Sequence, residues 1–402
     1  MTNLRSRELF AVFVACFVLY EFTLAGRLAE PFPDLWRLDA DSYRLAFTHT
    51  GHHPMANYLT LKHPLVVAIG IPLHRIGRLL SQPFPMPFRE NLALNFPGAV
   101  IGSLNVCVAL LLFRRLGFVK WRALLPTFLY ATAASVWIFS SFPDSYVFTT
   151  LAANVFFLAQ LSDPDVKHWR RLAFLNAVAS FCAPQQILLA IVPLTRIMRS
   201  LGWKGGLRKA FLYCAALALL FVLPYLAFLA ALHKLQTPTS EITRWANAGN
   251  LLSLQTWAAV SSTFLFLSQS SAWLTPEAYR PLTFASITNG GFLWLAALIV
   301  AGYALWGWRQ LRSWPWLPEY SFYLAVMIGF FVAWDSRAPF LFSAPAVLPW
   351  WLILHAGHVQ HQRERRWQLI TVVLCCSTVF VNWQFITRLT QPHPDNVRYN
   401  PK

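Results

Sequence analysis

Carboxylates are scarce in this chain, with 16 Asp plus Glu among 402 residues. Charge of either sign is low, 12% of residues, about half of what a soluble globular domain carries. A sizeable soluble domain is excluded on related grounds, because the polar stretches run to at most about 55 residues, too few for an independent core. Cysteine is sparse as well. Cys16, Cys107, Cys182, Cys214, Cys375 and Cys376 all fall in apolar segments without zinc-ligand spacing, so they read as small buried hydrophobes and imply no disulfide framework. No glycine fingerprint for a dinucleotide and no P-loop is present, which leaves nucleotide chemistry without a motif. Internal repeats and low-complexity tracts are absent too. What the chain has instead is apolar mass: 56% hydrophobic residues, 16% aromatic, mean hydropathy +0.46. That composition predicts an all-α, polytopic transmembrane helical bundle.

A spanning helix needs about 20 largely apolar residues. Candidate spans lie at 9–26, 91–113, 123–141, 146–161, 172–183, 185–198, 209–232, 291–308, 319–334, 338–356 and 368–386, about eleven in all. The fifth and sixth are short and meet at Ala183-Pro184-Gln185-Gln186, a tight turn. Net charge is +17, yet the basic residues concentrate in short loops, the pattern of topology signals and anionic-lipid contacts rather than of nucleic-acid binding. Nineteen of the 33 Lys and Arg fall in one set of alternating short loops, which places the N-terminus in the cytoplasm and the C-terminus outside. Arg5 and Arg7 precede a long apolar run that Glu21 interrupts, which reads as a retained first helix rather than a signal peptide. Residues 64–80 carry only about ten apolar residues before His74 and Arg75, so they read as an interfacial amphipathic helix. The chain is then a single integral-membrane domain, 1–402, with outward loops at 27–90 and 233–290 and no soluble C-terminal domain. The Pro-rich run Gln82–Phe88 reads as a stiff connector.

Two acidic motifs share the outward side: Asp39-Ala40-Asp41-Ser42-Tyr43 and Pro143-Asp144-Ser145-Tyr146. A carboxylate at the lipid–water boundary, near cations, can act as a general base or a metal ligand. Asp41 or Ser42 can equally cap a helix starting near Tyr43, and Asp144 can equally satisfy helix ends in its turn. His49, His52, His53 and His63 cluster with these acids. His52 and His53 are candidate ligands for a divalent metal, although no pair has a strong metal spacing. Lys62 and His63, at the loop–membrane junction, are placed to contact a phosphate or a substrate hydroxyl. Arg337, in Trp334-Asp335-Ser336-Arg337, can bind a lipid phosphate through charge-assisted hydrogen bonds, or pair with Asp335. Glu21 is an intramembrane acid, whose alternatives are a functional role and a hydrogen bond to another helix.

These pieces together resemble the C-type (GT-C fold) membrane glycosyltransferases that use polyprenyl-phosphate sugars, with protein mannosyltransferase and aminoarabinose-transferase relatives. The matching segments are Asp39-Ala40-Asp41-Ser42-Tyr43-Arg44, Lys62-His63-Pro64-Leu65, Phe142-Pro143-Asp144-Ser145-Tyr146, Cys182-Ala183-Pro184-Gln185-Gln186, and Arg337 with Phe340-Leu341-Phe342-Ser343-Ala344-Pro345. The first acidic pair departs from the adjacent pair usual in that family, so Asp39 and Asp41 both stand as bases, with Asp41 favoured by the Ser-Tyr after it.

The resemblance implies transfer of a sugar from a polyprenyl-phosphate donor to an acceptor hydroxyl on a glycan, lipid or protein, with inversion, at the outer face of a bacterial inner membrane. Asp41 would take the acceptor proton, with Asp39 and Asp144 as further acids. Arg337, Lys62, His63, Arg44 and Tyr43 would hold the lipid phosphate and substrate. No nucleotide is needed at that face, no other cofactor is specified, and a divalent metal is an open addition. Two other classes compete. A transporter or flippase for a lipid-linked sugar would lean on Glu21, but lacks an inverted repeat. A non-catalytic membrane assembly protein would need neither acidic motif.

Overall fold

The computed structural model describes residues 6–25, 47, 62–86, 88–142, 144–231, 247–267, 291–334 and 339–389. Among these residues every regular element is helical. In chain order the helices are α1 (Ser6–Ala25), α2 (Pro64–Leu80), α3 (Phe88–Leu116), α4 (Leu124–Ala131), α5 (Ala134–Ser140), α6 (Tyr146–Ser162), α7 (Trp169–Cys182) and α8 (Ile191–Leu217). They continue with α9 (Leu223–Ala231), α10 (Leu254–Ser262), α11 (Gly291–Trp306), α12 (Trp308–Leu311), α13 (Leu317–Trp334), α14 (Pro339–Ala356) and α15 (Arg365–Leu389). Among the described residues, four stretches are long and apolar enough to cross a membrane, within 88–116, 184–231, 317–334 and 365–384, and the bent pair Trp121–Ala131 with Ala134–Ser140 is a fifth if it counts as one span. The protein is an all-α integral membrane protein.

Helix α3 is the central column, with α1, α2 and α6 laid against it. Helix α6 in turn carries α7 and α14, and α8 meets α13, which returns to α14. One large apolar core runs through these contacts, with Phe113, Tyr130, Trp137, Phe157, Tyr323 and Trp367 fully buried. Prolines set several boundaries. The residue before a proline is pushed out of the helical region. Accordingly, Ala183 is extended (φ −159°, ψ 121°), α7 stops at Cys182, and Pro184–Ala190 forms a 3-10 turn leading into α8. This is the tight turn expected at 183–186. His63 (φ −135°, ψ 58°) likewise precedes Pro64, which opens α2.

The candidate span 123–141 is not one straight helix. It breaks between Ala131 and Ala134, and its two parts meet at 73°. A break at membrane depth frees carbonyls that lipid cannot satisfy. Here Tyr20 donates its hydroxyl to the Ala131 carbonyl at 2.8 Å, and Asn382 donates its amide to the Thr132 carbonyl at 2.7 Å. Helices from opposite ends of the chain therefore hold the break.

The loops that charge alone assigned to one side do gather at one end. There Glu8 pairs with Arg114 at 2.9 Å, Val119 N–H donates to Gln362 at 2.8 Å, and Gln360 N–H donates to Gln310 at 3.2 Å. Arg196 donates to the Pro164 carbonyl at 3.0 Å and to the Pro315 carbonyl at 3.1 Å. The opposite end carries Asp144, His63 and the Cys182 turn.

Candidate functional site

Asp144 sits between α5 and α6 and is fully buried. Its Oδ1 accepts from the backbone N–H of Ser145, from the N–H of Tyr146 at 3.3 Å, and from the Ser145 hydroxyl at 3.4 Å. These N–H groups belong to the start of α6, whose first turn lacks intrahelical acceptors and favours negative charge. From one residue before the N-cap Ser145, the carboxylate thus satisfies N–H groups at the helix start, as expected for this turn. The carboxylate also marks a built position, because the backbone leading to it is clamped. Gly98 of α3 lies directly against it: a Cβ there would sit 2.8 Å from the Phe142 carbonyl oxygen and 3.2 Å from that of Ser140. Only the missing side chain lets α3 approach this close.

His63 belongs to the same end. Its Nδ1 lies 2.7 Å from the Cys182 carbonyl, so Nδ1–H donates and the proton is placed on that nitrogen. Burial pulls its pKa down to about 4, partly opposed by this hydrogen bond and assisted by the charge of Lys62. The imidazole is neutral at neutral pH. Lys62 precedes it and is half-buried. Two motifs 119 residues apart are thus joined by one bond.

A small apolar cluster binds these pieces. Phe47, Val66 and Val67 of the first loop and α2 pack with Ile101 of α3, Val147 and Phe148 of α6, and Cys182. Phe47 is 3% exposed and packs in this cluster with Val147, three residues past Asp144. Asp39, Asp41, Tyr43, Arg44, His52, His53 and Arg337 lie outside the described residues.

Glu21 is 4% exposed. Asn95 of α3 donates to its Oε2 at 3.4 Å and to the Tyr20 carbonyl at 2.9 Å. This is the interhelical hydrogen bond weighed as its structural alternative. Asn95 was not among the sequence candidates, nor was Gly98. The available signal was an Asn at 91 and at 95, followed by Gly98 and Gly102, within an apolar segment. Among the described residues, no three His, Cys, Asp or Glu side chains gather as a metal-binding set.

No family model and no curated protein matches the sequence. Solved structures do match by shape. One is the crystal structure of ArnT from Cupriavidus metallidurans in the apo state, with TM-score 0.51 and 17% identity over 92% of this chain and 62% of that one. Another is ArnT from Cupriavidus metallidurans bound to undecaprenyl phosphate, with TM-score 0.50 and 16% identity over 92% of this chain and 63% of that one. The fold is GT-C-like. This chain spans less than two thirds of the length of those neighbours. In the GT-C-like frame, the end that holds His63, the Cys182 turn, Asp144 and Phe47 is the candidate site.

Proposed function

We propose that this protein is a membrane glycosyltransferase. It moves a sugar from a polyprenyl-phosphate donor to an acceptor hydroxyl at the outer face of a bacterial inner membrane. The observation that carries this reading is the GT-C-like fold over 92% of the chain, shared with an ArnT crystallised with undecaprenyl phosphate. The assembly of His63, the Cys182–Gln186 turn, Asp144 and Phe47 at one end supports it. In this reading Asp41 takes the proton of the acceptor hydroxyl, with Asp39 as its alternative. The acceptor oxygen attacks the anomeric carbon from the face opposite the phosphate. The carbon–oxygen bond to phosphate breaks with inversion, and polyprenyl phosphate leaves as an anion. Arg337, Arg44 and Lys62 supply the positive charge that stabilises that anion, Tyr43 donates a hydrogen bond to it, and neutral His63, whose Nδ1–H is held by the Cys182 carbonyl, accepts one from a substrate hydroxyl at Nε2. Asp144 holds the end of α6 against this space.

The test is transfer of labelled sugar from a panel of polyprenyl-phosphate sugars by purified wild-type and Asp41→Asn protein, each with and without a chelator. Loss of a positioned base costs roughly 10²–10⁴ in rate. Transfer by wild type and its loss at that scale in Asp41→Asn, with melting unchanged, supports the reading. Full turnover by the variant moves the base to Asp39. Absence of transfer from every donor to a crude membrane acceptor mixture overturns the enzyme. Loss of wild-type transfer on chelation would establish a divalent metal.

A further inference from the structure

We propose that the start of the second half of α8, at the membrane end opposite Asp144, is a docking site for an anionic glycerophospholipid. The site is independent of the sugar-transfer reading. Helix α8 is interrupted at Gly202, which has φ 67° and ψ −176°. That left-handed φ suits glycine, and no neighbouring atom lies within 4 Å of where its Cβ would be. The helix therefore re-aims at an open position. Beyond the break, Gly206, Tyr213 and Leu217 turn inward, and the Tyr213 hydroxyl donates to the side-chain oxygen of Asn176 of α7 at 3.2 Å.

The other face carries Trp203, Leu207 and Phe211 at i, i+4 and i+8, so they form one ridge. Trp203 is 73% exposed and Phe211 72%. Lys204 and Arg208 form a second exposed row, one position round the helix from the ridge. An aromatic at the headgroup level beside basic side chains is the arrangement that holds a phosphate above and acyl chains below.

A topology signal alone requires the charge but not the ridge. It also does not require the charge to be unpaired, and here the end divides. Arg114 is paired with Glu8 at 2.9 Å and Lys167 with Asp165 at 3.3 Å, while Arg196 and Arg199 share Glu319. Among the described residues no carboxylate pairs with Lys204 or Arg208. No Asp or Glu occurs between Asp165 and Glu241, so α8 itself offers neither of them a carboxylate. The partner that complements an uncompensated basic row beside an exposed apolar ridge, at a membrane boundary, is an anionic lipid.

The experiment titrates the purified full chain in detergent with fluorescently tagged phosphatidylglycerol, using equally tagged phosphatidylcholine as control. Wild type should prefer phosphatidylglycerol. Each exposed basic residue near a headgroup contributes about fivefold, so Lys204→Gln with Arg208→Gln should weaken phosphatidylglycerol binding on the order of 25-fold, to the phosphatidylcholine level. Trp203→Ala with Phe211→Ala should weaken both lipids alike. Equal wild-type binding of the two lipids, or a preference surviving in the charge variant, overturns the proposal. Should the variant fail to fold, salt titration of wild type decides. A preference that fades with added salt supports the site, and one that persists sinks it.

Discussion

At the scale of single residues, His63 makes the sharpest statement. Its pKa is near 4 in the folded protein and near 6.5 when exposed in an unfolded chain. Between those values the unfolded state binds more protons, so stability rises with pH across the window and is lost as pH falls from about 6.5 towards about 4. Melting curves across that range should show the wild type losing stability on acidification, and His63→Gln should flatten the slope. An unchanged slope would place His63 in water rather than against Cys182. Asp144 is tested differently, because its Oδ1 accepts N–H groups at the start of α6. Asp144→Ala should cost about 0.5–2 kcal/mol in unfolding experiments, while Asp144→Asn keeps an acceptor and should melt close to wild type. A loss of sugar transfer in Asp144→Asn at unchanged melting would give this carboxylate a part in the chemistry beyond its cap. Both residues were legible in the sequence, because a His or Asp beside a proline at the edge of an apolar run has few places to go. Asn95 was not legible, since an amide inside an apolar run takes its meaning from Glu21 and Tyr20, which lie 74 and 75 residues away.

Elements show where local reading holds and where it stops. The ends of α7 and α2 follow from Pro184 and Pro64, and the amphipathic 64–80 segment is a helix packed on α3 as its pattern requires. The break between α4 and α5 has no such mark. Ala131-Thr132-Ala133-Ala134 contains neither proline nor glycine, and the bend is specified by Tyr20 and Asn382, which are 111 and 250 residues from their acceptors. Tyr20→Phe should therefore cost about 1–3 kcal/mol by leaving the Ala131 carbonyl unsatisfied in the apolar interior. A thermal melt in detergent measures it, and a cost near zero would mean that the freed carbonyl finds another donor. Gly98 tests the opposite boundary of α5. The added methyl of Gly98→Ala has nowhere to go but into the Phe142 and Ser140 carbonyls, and forced overpacking typically costs about 1–3 kcal/mol. Because those carbonyls lead into Asp144, the same variant should lower transfer as well as melting. Melting that falls with transfer intact would separate the clamp from the site.

For the whole molecule, the two membrane ends are held by different physics. The Asp144 end is tied by backbone caps, a neutral histidine and a small apolar cluster. The opposite end is tied by charge. Glu319, at the start of α13, is fully buried and accepts from Arg199 at 2.7 Å, with Arg196 at 3.5 Å. Arg196 also stacks over Trp316 at 4.6 Å and donates to the Pro164 and Pro315 carbonyls, so one carboxylate joins α8, α13 and the loop after α6. Nothing in the local sequence marks Glu319, which stands at the edge of an apolar run like any helix-start acid, and the two arginines that hold it come from more than 100 residues earlier. Removing a single partner of a fully buried pair costs about 3–5 kcal/mol, because the remaining charges lose their counterion. The Arg199 side chain is 46% exposed and can turn to water, so Glu319→Gln should fall at or below the low end of that range. The loss should appear as a lower melting temperature in detergent and as faster proteolysis at 163–168, the loop Arg196 holds. Transfer per folded molecule should stay near wild type, since the candidate site lies across the membrane. A transfer defect without a melting change would reverse the argument and tie the two ends through α8.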